Sequence, residues 1–390
     1  MVNLQNGVAV LVSDSDYVSL KQGDYCNVKM DSLGLLKEKG FIVSREHNSL
    51  NLEYSNIAIN LNITNGCNFN CAYCYFKANN RVKDFVSVDE DKLLEWIDVY
   101  IMPIHKNIYI NYLGGEPLIE YEKILSISRK VKKWVKENGV GYWGEITTNG
   151  YYLTVDKAEK LVESGIMSIQ ITLDGDRIQH NLIRNCGVQN GTYDTILKNV
   201  CDCKEIVPII IRVNINRKTS FKSIQNLLED LKKRNIGNVY FAVIESNYMS
   251  TNDLYAVSYD KAVGIYKKVW LLQKKMGFDF VQKLPPVIGN CIALNPFGFT
   301  INYDGKMYVC PSTCGISEFY IDNIYNYNNE EKKISRTIRE ECFKCTLYPL
   351  CMGGCDIVNT IDRNVICHKN YISCMLTNYF KIKYFESVLE

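Results

Sequence analysis

Three cysteines, Cys67, Cys71 and Cys74, stand in the run Asn65-Gly66-Cys67-Asn68-Phe69-Asn70-Cys71-Ala72-Tyr73-Cys74-Tyr75, a Cys-x3-Cys-x2-Cys spacing directly after an apolar stretch. Three thiolates are one short of the set a structural zinc ion takes, whereas a [4Fe–4S] cube held by three cysteines keeps one iron open for a further ligand. A zinc site completed by a distant residue, or reduced thiols packed in the loop, are the other chemistries open to this run. A second array lies towards the C-terminus: Cys291, Gly305 and Cys310, then Cys342, Cys345, Cys351 and Cys355, then Cys367 and Cys374. Its two-residue gaps suit iron–sulfur ligation or a pair of zinc ribbons.

The chain has 16 cysteines in 390 residues, and nothing in Met1 to Leu20 resembles a secretory signal or a membrane span. The chain therefore reads as cytoplasmic, where thiols stay reduced, and metal ligation explains the bunching better than disulfides do. Cys26, Cys186, Cys201 and Cys203 match no motif and read as free thiols. With 45 basic against 43 acidic side chains, 47% hydrophobic and 23% charged residues, the balance asks for neither nucleic acid nor membrane. The basic run Lys130, Lys132, Lys133 and Lys136 reads as a solvated helix face.

From residue 54 onward an apolar alternating run followed by a helical pattern recurs, the sign of βα units. The expected strands are Ile57–Ile63, Ile108–Tyr112, Tyr142–Thr147, Ile166–Leu173, Val207–Ile215 and Val239–Ile244. Ser164-Gly165 and Asn235-Ile236-Gly237 supply helix stops, and Ser258 a cap for a helix running to Gly277. Parallel units of this kind without dinucleotide glycines predict an open (β/α)6 barrel, with chemistry on the loops after the strands. The cysteine run lies on the first such loop and Leu113-Gly114-Gly115-Glu116-Pro117 on the second, where glycines admit close approach and a carboxylate can accept from an ammonium. Taken alone, Gly-Gly-Glu-Pro is also an ordinary turn. After Leu284-Pro285-Pro286 the pattern becomes short and rich in Gly, Asn, Tyr and Cys, a segment that needs metal to hold it. Residues 1–52 read as strand Val8–Val12, two helices, the second near Met30–Lys39, and strand Phe41–Val43.

The cysteine run, with Tyr73 before its last cysteine, resembles the defining motif of the radical S-adenosylmethionine (SAM) superfamily. Gly114, Gly115 and Glu116 resemble that family's motif for the amino group of SAM. Thr147-Thr148-Asn149-Gly150 and Thr172-Leu173-Asp174-Gly175, with His180 and Arg184, are similar to further family stretches. The resemblance implies Thr172 and Arg184 at SAM's ribose and carboxylate, the latter suited to a bidentate guanidinium, and Asn214 on the fifth strand as another contact. Arg212 beside it reads equally as a surface ion pair. The C-terminal array resembles the SPASM domain, which implies two auxiliary [4Fe–4S] clusters: Cys291, Cys310 and Cys355 on the first, and Cys342, Cys345, Cys351 and Cys367 on the second, with Cys374 an alternative to Cys367. Phe297 stands where some members have a fourth ligand to the first; Cys314 or an open iron would complete it.

Taken together the fold expectation is α/β, a partial (β/α)6 barrel over 53–283, a small α+β module over 1–52 and a cysteine-rich SPASM unit over 284–390. By the same resemblance, SAM is cleaved reductively at the first cluster and the 5′-deoxyadenosyl radical takes a hydrogen from the substrate, so the chain is expected to be an enzyme. The cofactor carries the hard chemistry, and no acid–base residue can be singled out. The expected substrate is a ribosomally made precursor peptide receiving a thioether or carbon–carbon crosslink, with an electron donor such as flavodoxin or ferredoxin. Pro311 after Cys310 favours this over a sulfatase maturase, whose relatives carry an aspartate there. The 1–52 pattern adds a module that could grip a leader by β-addition. A sulfatase-maturase-like or small-molecule radical SAM enzyme, and a non-catalytic iron–sulfur or zinc protein, are the alternatives.

Overall fold

The computed structural model describes residues 12–22, 29–38, 56–76, 86–100, 106–184, 191–244, 255–279, 291–295, 297–326, 338–355, 357 and 367–384. Residues 8–11 of the expected strand Val8–Val12, the expected strand Phe41–Val43, and Cys26 and Cys186 lie outside this set. Of the N-terminal module, helices α1 (Asp14–Gln22) and α2 (Met30–Glu38) are described. Asp16 ties them, accepting from the Lys29 N–H at 3.1 Å and the Ser32 hydroxyl at 2.8 Å.

Six parallel strands follow: β1 (Asn56–Thr64), β2 (Asn107–Gly114), β3 (Gly141–Thr148), β4 (Ile166–Thr172), β5 (Ile209–Ile215) and β6 (Val239–Val243). Between them run α3 (Glu90–Tyr100), α4 (Tyr121–Asn138), α5 (Val155–Ser164), α6 (Arg177–Ile183), α7 (Tyr193–Cys203) and α8 (Phe221–Lys233), and α9 (Tyr259–Lys275) follows β6. All six expected strands form. Both expected stops form: α5 ends on Gly165 in the left-handed region, and after α8 the left-handed residue of Asn235-Ile236-Gly237 is Asn235 at φ 55°. Ser258 holds the N-cap position of α9 without a capping hydrogen bond from its side chain. Lys130, Lys132, Lys133 and Lys136 lie exposed on α4, with Lys130 paired to Glu90 and Asp91.

The two faces of the sheet differ in chemistry. Ile57, Ile59, Leu61 and Ile63 of β1, and their counterparts Ile108 and Ile110, Ile169 and Ile171, Ile211 and Val213, are buried under the helices. Most residues between them are polar and several form cross-strand bonds, Asn111 donating to Asn60 at 3.4 Å and Thr147 to Asn111 at 3.2 Å. Tyr240 of β6 donates to Gln170 of β4 at 2.7 Å. A closed eight-stranded barrel fills its interior with branched apolar side chains; this inner face is instead built for water and polar ligands. At its lower end a cavity of about 200 Å³ lies between Asn60, Asn111, Trp143 and Glu145.

The sheet does not stop at β1. Strand β7 (Gly298–Ile301) pairs parallel with β1, and β8 (Lys306–Tyr308) and β9 (Tyr320–Asn323) continue antiparallel, giving the order β6-β5-β4-β3-β2-β1-β7-β8-β9. The short helices α10 (Glu340–Phe343) and α11 (Tyr348–Cys351) carry cysteines, and α12 (Lys369–Tyr384) packs on α9, Trp270 meeting Tyr379 edge-on at 5.9 Å. Among the described residues no helix is long and apolar enough to cross a membrane.

Candidate active site

The loop after β1 carries Cys67, Cys71 and Cys74, and three neighbouring loops hold it. From β2, the Gly115 N–H donates to Thr64 O at 2.9 Å and the Glu116 N–H to Gly66 O at 2.7 Å. The contact is so close that a Cβ on Gly115 would lie 2.1 Å from Gly66 O, and one on Gly114, at φ +130°, 2.5 Å from Thr64 O. Both glycines thus serve the approach of the second loop to the cysteine loop. From β3, Asn149 donates to Asn68 at 2.8 Å. From the end of α6, Ile183 O accepts the Ala72 N–H at 3.1 Å, and the Arg184 guanidinium lies 5.7 Å from the Phe69 ring centre.

Glu116 is buried, with Oε1 accepting from the Leu118 N–H at 3.0 Å and the Thr148 hydroxyl at 2.5 Å, and Oε2 from the Asn149 N–H at 2.8 Å. It braces the ends of β2 and β3. Burial pushes its carboxyl upward against the pull of these donors. A carboxylate offers about four acceptor directions, so the three bonds leave one for an ammonium.

A second network centres on Asp174, a residue whose importance the sequence reading passed over. Its carboxylate accepts from the Tyr73 hydroxyl and from the Asn214 N–H at 2.8 Å, and Arg184 Nη1 stands 3.6 Å away. Tyr73 in turn accepts from Arg184 at 2.8 Å and from the Asn214 side-chain amide at 3.1 Å. The signal was present in the sequence: an acid immediately follows an apolar strand at its C-terminal end. The Asp174 N–H donates to His180 Nδ1, so the imidazole proton sits on Nε2 and points to Thr192 Oγ1 at 3.0 Å. Burial, then the Arg184 charge, holds His180 well below the ordinary histidine value. Thr172 and Arg212 are register partners on β4 and β5. Arg212 is no surface ion pair; it donates to Asn214 Oδ1 at 2.7 Å on the inner face, beside the Tyr240 ring.

Beyond β7 the cysteines fall into two groups. Cys291 and Cys310 pack on one small apolar cluster with Tyr308, Val309 and the fully buried Cys314. Burial pushes the Cys310 thiol up, and Cys355 and Cys291 lie near enough to add to it. Cys314 accepts from the Asn62 amide of β1 at 3.0 Å. Phe297 packs on the main core instead. In the second group Cys345, Cys342 and Cys367 neighbour Cys351, and Arg339 bridges Cys367 and Cys342. Cys374 sits exposed on α12. Cys203 is buried and Cys201 half-buried on α7. Among the described residues no three His, Cys, Asp or Glu side chains close on a single metal ion.

Residues 61–231, from the middle of β1 into α8, match the family model of the radical SAM superfamily. That stretch is a radical SAM domain, and the chain is an enzyme. Its cofactors are SAM and [4Fe–4S] iron–sulfur chemistry. The residues present fit such a group: three thiols share one braced loop, and the buried Arg184 Nε has no partner among the described residues, a donor left for a ligand. Burial pushes the Cys71 thiol up to about 11, so a bound cation would replace its proton on ligation. Over 362 residues the radical SAM chain is 24% identical to the cysteine-type anaerobic sulfatase-maturating enzyme of Clostridium novyi (strain NT), covering 84% of this chain and 96% of that one. It is 27% identical to the Fe-coproporphyrin III synthase of Methanosarcina barkeri (strain Fusaro / DSM 804) over 44% of this chain and 40% of that one. Among solved structures, native anSMEcpe with bound AdoMet superposes with a TM-score of 0.64 at 17% identity, covering 84% of this chain and 96% of that one. Streptococcus suis SuiB bound to precursor peptide SuiA superposes at 0.56 and 15% identity, covering 93% and 92%. These similarities bear out the partial-barrel fold with its C-terminal extension.

Proposed function

We propose that this radical SAM enzyme is a peptide maturase that installs a thioether or carbon–carbon crosslink in a ribosomally made precursor peptide. In this reading Cys67, Cys71 and Cys74 hold the [4Fe–4S] cluster. Glu116 takes the ammonium of SAM in its remaining acceptor direction, Gly114 and Gly115 shape the loop around it, and Arg184 Nε offers a donor to the carboxylate. Tyr73, Thr172 and Asn214 wall the nucleoside side. When bound, cluster and SAM supply a 5′-deoxyadenosyl radical that takes hydrogen from an unactivated carbon. The protein's own work is to position the substrate on the polar inner face and keep water from the radical.

Cys291, Cys310 and Cys355 would carry one auxiliary [4Fe–4S] cluster and Cys342, Cys345, Cys351 and Cys367 another, within a unit over 284–390. The core would occupy 53–283, and residues 1–52 would recognise the leader. An electron donor such as flavodoxin or ferredoxin completes the scheme. Similarity to SuiB, solved with its precursor peptide, and to anSMEcpe supports a peptide or protein substrate.

The observation that carries the crosslinking reading is the turn at Cys310. Pro311 occupies the first position of a 3-10 turn (Pro311–Thr313) that Cys310 caps, so no carboxylate follows that cysteine to take a proton. The extent of the similarity to the Clostridium novyi enzyme favours sulfatase maturation as a second reading. Anaerobic reconstitution tests the cofactor set: about 12 irons per chain are expected, falling to about 8 when Cys67, Cys71 and Cys74 become alanine. Incubation with a co-encoded precursor peptide and, separately, with a cysteine-containing sulfatase peptide then decides the substrate. A loss of two hydrogens per link in the precursor supports crosslinking; oxidation of the sulfatase cysteine alone overturns it.

A further inference from the structure

The loop that leaves β5 builds a second cavity, of about 300 Å³, outside the barrel and between α8 and α9. Its floor is apolar: Ile224 of α8 and Val257 and Val269 are buried, and Ile265 lies beside them. Among the described residues its charged lining is basic, consisting of Arg217, Lys261 and Lys268. Lys261, Ile265 and Lys268 recur at helical spacing, so one face of α9 presents both the apolar and the cationic part. None of the three cations has a carboxylate partner among the described residues.

The decisive group is Asn216. It lines the cavity, is 2% exposed, and its Nδ2 has no hydrogen-bond partner among the described residues. The amide orientation is set by Oδ1, which accepts the Lys218 N–H at 2.8 Å, so the unsatisfied atom is a donor. An unmet buried donor is costly, and an acceptor from outside would remove that cost. A donor at depth, cations at the rim and an aliphatic floor between them describe a receptor for an anion attached to an apolar body.

We propose that this cavity binds a peptide segment in which an aspartate or glutamate adjoins a large apolar residue, the carboxylate reaching Asn216 Nδ2 and the apolar side chain resting on Ile265 beside Phe221. This deepens the peptide-maturase reading and rests on it for the identity of the peptide. The site opens just past β5, where Ile215 and Asn216 follow Asn214 directly, so a peptide held here lies at the strand end that carries the cysteine loop.

Binding can be read on the full-length holoenzyme without SAM turnover, so its outcome is separate from whether any peptide is modified. The probe is acetyl-Glu-Leu-Glu-Phe-amide, compared by calorimetry with acetyl-Gln-Leu-Gln-Phe-amide and with inorganic phosphate. The acidic probe should bind at least tenfold more tightly than the glutamine probe. Lys261→Glu with Lys268→Glu should abolish that preference, while iron content and thermal midpoint stay unchanged. Asn216→Asp keeps the bond to the Lys218 N–H and reverses the cavity group, and should weaken the acidic probe tenfold or more. Equal binding of the two peptides, or indifference to both variants, overturns the proposal. Phosphate binding as tightly as the acidic probe overturns the peptide assignment in favour of a phosphate-bearing ligand.

Discussion

The Tyr73 hydroxyl serves three partners at once: it donates to Asp174 and accepts from Arg184 and from the Asn214 amide. Tyr73→Phe leaves buried polar groups short of a partner and should cost about 1–3 kcal/mol in urea unfolding, with weaker SAM binding by calorimetry; unchanged values for both would show that the hydroxyl is dispensable. His180 makes a pH prediction. Its folded pKa is depressed by burial, so below its unfolded value of about 6.5 the unfolded chain binds the extra proton and stability falls as pH drops. Each proton taken up adds a slope of at most about 1.4 kcal/mol per pH unit. Between pH 7.5 and 5.5 the urea midpoint of the wild type should fall more steeply than that of His180→Gln. Parallel pH curves would remove His180 from the linkage. The sequence offers only a weak sign of this network, an acid at the end of an apolar strand, because a Cys-x3-Cys-x2-Cys run marks its own residues but not Asp174, about one hundred positions away, that fixes the tyrosine between them.

At the scale of elements the sequence was far more open to reading. Alternation of Ile with Asn in β1 shows both the strand and the chemistry of its two faces, because an apolar period of two can be met only by one buried face. Helix ends were harder. Within the expected stop Asn235-Ile236-Gly237 it is Asn235, not the glycine, that takes the left-handed position, since a short polar side chain tolerates that region. The paired glycines after β2 were read as room for a cofactor, and the structure shows room for the neighbouring loop. Gly115→Ala should therefore push the two loops apart and bring the iron count down towards that of the triple cysteine variant. Gly139→Ala is the control: it has open space around it at φ +68°, costs about 1–2 kcal/mol of backbone strain, and should keep its iron. Equal iron in the two variants would mean that the loop contact does not position the cysteines.

For the whole molecule the consequential feature is the continuity of the sheet from β1 into β7. A composition change near residue 284 reads as a boundary, yet Ala58 to Leu61 pair in register with Gly298 to Ile301, and Phe299 meets Trp96 of α3 edge-on at 5.0 Å. Long-range strand pairing of this kind leaves no local signal, since the partners are separated by most of the chain. It makes the C-terminal strands the cover of the β1 edge, and an uncovered edge invites association between copies. A chain ending at residue 290 should consequently elute as aggregate in size exclusion. Phe299→Ala should destabilise the full-length protein by about 3–5 kcal/mol. Because Phe299 packs on both parts, tryptophan fluorescence from the barrel and release of iron from the C-terminal cysteines should shift together in urea. If iron release moved alone while the fluorescence transition stayed in place, the two parts would fold independently and the shared sheet would carry no coupling.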